Sequence, residues 1–97
     1  MKKAFFEINA ERKLSAEHTH YSFPRIDHLV LATDPKDRSG HQLWLALGTE
    51  QELLELAGDP RARPLSPQEA EALGKDWTGG AFSLEPLDLT NLLVVKT

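Results

Sequence analysis

The sequence predicts an α+β fold: one mostly antiparallel sheet of four to five strands with two short helices packed on one face. Three observations lead there. Residues 27–47 hold two alternating apolar runs around a turn-rich loop, two capping boxes open helices at Thr49 and Ser66, and apolar runs stand near both ends of the chain. The expected order is roughly β-β-β-α-α-β-β, within one domain spanning residues 1–97.

The first element is a short strand over residues 3–9, in which Ala4, Phe6 and Ile8 share one side and Phe5 and Glu7 the other. Residues 10–26 are polar and mixed. They read as a loop ended by Phe23-Pro24, with a helical turn starting at Ser15.

Residues 27–47 form the clearest unit. Asp27–Thr33 and His41–Leu47 are strand-like, and the segment between them, Asp34-Pro35-Lys36-Asp37-Arg38-Ser39-Gly40, is dense in turn formers. Pairing Thr33 with His41 sets Leu31 against Leu43 and Leu29 against Leu45, one leucine face that belongs in the core. The opposite face carries His28, Val30, Ala32, Trp44 and Ala46, which is too apolar for a side meeting water.

Thr49 with Glu52, and Ser66 with Glu69, are capping boxes; Pro67 follows at the first helical position. In the first helix Leu53, Leu54, Leu56 and Ala57 supply the apolar side, and Gly58 stands just past its end. In the second, Ala70, Leu73 and Trp77 make the stripe that places Trp77 in the core. Residues 58–65 read as a linker, residues 81–85 as a strand ended by Pro86, and residues 91–96 as a last strand apolar on both faces.

Composition narrows the function. The chain has 97 residues, no cysteine and a net charge of −4. Disulfides and thiolate metal sites are excluded, and the cytoplasm is the expected compartment. The run Ala4-Phe5-Phe6 stops at Glu7, too short for a signal peptide, and no stretch approaches a membrane span. Residues 39–97 carry four Lys/Arg against nine Asp/Glu, which disfavours a broad nucleic-acid-binding face. No phosphate-binding glycine fingerprint is present, and no cofactor is expected.

Candidate chemistry is sparse. His18 and His20 form a His-x-His pair that suits a metal in an extended segment, with His28, His41, Glu17 or Asp27 needed to complete the ligand set. Lys36, Asp37 and Arg38 form the tip of the hairpin loop and read as a recognition loop. Arg61 and Arg63, between prolines, read as solvated linker residues. Trp44, with Val30, Ala32, Ala46 and His28, reads either as an interface, because tryptophan is enriched at interface hot spots, or as a face that loop 10–26 folds back to cover with Tyr21 and Phe23.

The sequence therefore favours a non-enzymatic binding module that works through protein–protein contacts and self-associates. One alternative is a histidine- or metal-dependent small enzyme or metal-binding protein. The other is an acidic inhibitor that mimics nucleic acid with Glu50, Glu52, Glu55, Glu69, Glu71 and Asp76, which requires those acids to form one continuous face.

Overall fold

A computed structural model describes residues 1–9, 28–36 and 40–95, with backbone alone at 28–30. It contains one antiparallel sheet of four strands and two helices, an α+β fold. The strands are β1 (Lys2–Asn9), β2 (His28–Thr33), β3 (His41–Gly48) and β4 (Ala62–Leu65); the helices are α1 (Glu50–Ala57) and α2 (Pro67–Thr78). The sheet order is β2-β3-β1-β4, which makes β1 and β3 the central pair. No described helix is long and apolar enough to cross a membrane.

Strand β1 has apolar side chains on both faces, and each face meets a different helix. Ala4, Phe6 and Ile8 join Ala46, Leu53 and Leu56 in one cluster under α1. Phe5 joins Leu43, Leu45, Leu65, Ala70 and Trp77 in a second cluster under α2. The helices thus lie on opposite faces of the sheet, where the sequence had placed both on one. Alternation explains the outcome: a strand at the centre with two apolar faces needs cover on each.

Both helices begin as their capping boxes require. The Thr49 hydroxyl accepts from the Glu52 amide at 3.1 Å, and the Glu52 carboxylate accepts from the Thr49 amide at 3.0 Å. Ser66 and Glu69 repeat the exchange at 3.1 and 2.9 Å. Gly58 ends α1 in a right-handed conformation, so its position does not depend on a left-handed turn. Gly79 ends α2 with φ of 68°, a left-handed cap that favours glycine. Leu53 and Leu56 are buried, whereas Leu54, expected on the apolar side of α1, is exposed. Trp77 is buried, as the α2 stripe predicts.

Three corrections concern the connections. The segment read as a linker contains β4, which pairs antiparallel with β1 from Phe5↔Leu65 to Ile8↔Ala62. Pro64 disguises it, because a residue without an N–H is confined to edge strands, and β4 is an edge. Residues 81–85 form no strand; Phe82 instead lays its ring against Gly74, where an added Cβ would sit 2.5 Å from the ring. Residues 91–95 make a single parallel bridge, Lys3↔Leu92, because Asn91 turns the backbone to φ of 59° and β4 already holds β1 from Phe5 onward. The two-sided apolar pattern there still has a purpose, since Leu92 packs toward the α2 side and Leu93 toward the α1 side. Lys3 fastens this segment by donating to the Asp88 carbonyl at 2.6 Å.

The hairpin register also differs beyond its middle. Leu29↔Leu45, Val30↔Trp44 and His28↔Ala46 pair as alternation predicts. A bulge between Val30 and Ala32 then shifts the register by one, so Ala32 faces Leu43 and Thr33 faces Gln42 rather than His41. The extra residue, Leu31, packs with Ala32 against the α2-side cluster.

Candidate functional site

Two places on this sheet hold the residues of interest. The first is the α1 side near the β2 edge. Trp44 sits on β3 between Phe6 of β1 and Val30 of β2 in register. Helix α1 packs on β1, β3 and β4, while α2 reaches all four strands. Trp44 therefore lies at the margin of the α1 layer: half-buried, packed against the Phe6 cluster, its indole N–H donating to the Gln42 side chain at 2.9 Å.

The expected interface set does not survive whole. Ala46 is 1% exposed and lies in the α1-side core, so it has no surface to offer a partner. Ala32 is carried to the other face by the bulge and packs with the α2-side cluster. His28 and Val30 keep their register positions opposite Ala46 and Trp44. The face is thus narrower than the sequence suggested, because α1 takes up its inner part.

At the hairpin tip, Lys36 is exposed, and its backbone amide donates to the Asp34 carboxylate at 2.8 Å. That contact is an Asx turn, the local reason this loop reverses there. Asp37 and Arg38 lie outside the described residues, as do His18, His20, Tyr21 and Phe23. Among the described residues no group of three or more His, Asp or Glu side chains stands ready for a metal ion.

The second place is a charged cluster on the α2 side that joins three strands. Glu7 of β1 accepts from Arg63 of β4 through Nε at 2.9 Å and Nη2 at 2.7 Å, both on Oε1. Its other oxygen, Oε2, lies 3.0 Å from Nδ1 of His41 on β3. The Glu7 side chain is only 14% exposed. Burial by itself would raise the Glu7 pKa. The hydrogen bonds from His41 and Arg63, with their charges, outweigh it and hold the carboxyl below its ordinary value. An ionised Glu7 only accepts, so the proton in the His41 contact sits on Nδ1. Arg63 extends the network toward Glu69 of α2, 4.0 Å away.

Sequence reading missed this cluster. Its members stand 34 and 56 residues apart, and Arg63 was placed in a linker. The signal in the sequence was Glu7 itself: a carboxylate at an inward position of a central strand needs a cation beside it. Arg61, the other linker arginine, donates to Asp59 through Nε at 2.9 Å and Nη2 at 2.7 Å, a fork that shapes the turn into β4.

The acids proposed for a nucleic-acid mimic divide between two faces. Glu50, Glu52 and Glu55 belong to α1 and Glu69, Glu71 and Asp76 to α2, on opposite sides of the sheet. The single continuous acidic face that this reading requires does not form.

No family model, no curated protein and no solved structure matches the chain.

Proposed function

We propose that this chain is a small non-enzymatic binding module that acts through protein–protein contacts, with a second copy of itself as its partner. The observation that carries the reading is the position of Trp44. It is half-buried at the limit of the α1 layer, beside an edge strand of apolar composition. Large aromatics are enriched among the residues that anchor protein interfaces. The exposed Lys36 at the hairpin tip is proposed as a polar recognition contact. The cytoplasm is the proposed compartment, on the strength of a chain without cysteine.

Light scattering on the purified protein tests this. The expected result is a mass near twice the 10.8 kDa of one chain, shifting toward the monomer in Trp44→Ala. A monomer at every concentration, unaltered by Trp44→Ala, would remove the proposal.

A second reading, a histidine-dependent enzyme, draws support from the Glu7–His41 pair. A carboxylate that orients an imidazole is a common arrangement for proton transfer. The metal-binding form of this reading depends on His18 and His20, outside the described residues. Elemental analysis of untagged protein separates the readings, since a stoichiometric transition metal would favour the second.

A further inference from the structure

We infer that residues 81–95 form a strap that opens as one unit about Gly79 and Gly80, with Lys3 as its latch, while the sheet and both helices stay closed. This device lies on the α2 side and is independent of the self-association proposed above.

The place for a strap is set in β1. Antiparallel pairing turns the N–H and C=O of alternate residues toward the same neighbour. β4 accompanies β1 only from Ile8↔Ala62 to Phe5↔Leu65, because Ser66 then caps α2. Lys3 is next in that alternation, and its backbone groups have no β4 residue to meet. Residues 91–93 take the place. The Lys3 amide donates to the Asn91 carbonyl at 3.1 Å, and the Leu93 amide donates to the Lys3 carbonyl at 2.7 Å. The Lys3 side chain doubles the attachment, with Nζ 2.6 Å from the Asp88 carbonyl oxygen and 3.3 Å from the Asp88 carboxylate.

The rest of the strap lies on the α2-side cluster without entering it. Phe82, Leu84, Leu87, Leu89 and Leu92 are half-buried against that cluster, whose buried members all come from β1, β3, β4 and α2. Helix α2 also meets all four strands directly. The sheet and α2 therefore keep their own contacts when the strap leaves. Lys3↔Leu92 is the one bridge between strap and sheet among the described residues. At the other end Gly79 and Gly80 have φ of 68° and 94°, and an added Cβ at either would meet no described atom within 4 Å. Two glycines in open space join a packed helix to a half-buried strap, so the bend is absorbed there. A latch at one end, a hinge at the other and half-buried leucines between them make a cooperative unit less stable than the sheet. Opening uncovers apolar surface of the α2-side cluster.

Native-state amide exchange over a urea series, on the unaltered chain, tests this. The amides of Phe82, Leu93 and Lys3 report on the two ends of the strap. Phe82 donates to the Thr78 hydroxyl beside the hinge, and the other two close the latch. All three are expected to share one opening free energy, below that of the β1–β3 ladder. Lys3→Met keeps the apolar stem and removes the ammonium. It is expected to speed exchange at Phe82 and Leu93 by at least about tenfold, the effect of losing a hydrogen bond to a charged group, and to leave the β1–β3 ladder unchanged. Exchange that slows progressively from Leu93 back to Phe82 means fraying from the end and overturns the inference. Exchange of the strap in step with the ladder overturns it as well. A strap unaffected by Lys3→Met, or a strap and ladder accelerated equally, removes Lys3 as the latch. Should Lys3→Met not fold, the exchange pattern of the unaltered chain decides.

Discussion

Replacing Phe6 with alanine is expected to destabilise the fold by ~3–5 kcal/mol, the range for truncating a buried phenylalanine. Phe6 is 0% exposed. It sits at the centre of β1, opposite Trp44 on one side and Pro64 on the other, in the cluster that receives Leu53 and Leu56. Its removal leaves a cavity beneath α1. Domains of this size have only about 5–15 kcal/mol in total, so much of the margin goes. Urea unfolding checks it, with the midpoint falling by at least about 1 M. A loss under about 1 kcal/mol would mean that α1 does not close over this residue.

Glu7→Gln is expected to cost about 1–3 kcal/mol at neutral pH, the range for hydrogen bonds to charged groups, toward the lower end because Arg63 is 56% exposed and can rehydrate. The variant leaves Arg63 and His41 facing an amide in place of a carboxylate. The effect depends on pH in a fixed direction. The folded-state pKa of Glu7 lies below its ordinary value of 4.5, so its contribution is fully present above about pH 4.5 and is lost as pH falls through the lowered folded value. The stability difference between the natural chain and Glu7→Gln should therefore shrink in acid below that point. A constant difference between pH 7 and pH 3 would show that the carboxylate charge contributes nothing. Asp88, held at about 2 by the Thr90 hydroxyl and amide and by Lys3, is fully exposed and keeps its charge through the same window.

These two residues mark where the sequence was legible and where it was not. Phe6 and its alternating neighbours announce a strand without any structure, and so do the hairpin and both capping boxes, because each signal is complete within a few residues. Ala70, Leu73 and Trp77 declare their stripe in the same way. The partners of Glu7 are invisible at that range. They come from β3 and β4, and only the sheet order makes them neighbours. β4 was hidden by Pro64 and two arginines, which resemble a linker until an edge position explains them. The bulge at Leu31 has no local signature at all, yet it moves Ala32 to the face opposite Trp44. Residues 91–95 looked like a strand because both faces are apolar. What that composition signalled was a segment packed between the two cores.

The account depends on a sheet covered by a different helix on each face, with the α1 layer ending at Trp44. Proton–proton Overhauser contacts from the helix side chains to β1 read this directly. Leu53 and Leu56 should contact Phe6 and not Phe5, while Ala70 and Trp77 should contact Phe5 and not Phe6. Contacts from both helices to Phe6 would put them on one face and would contradict the account.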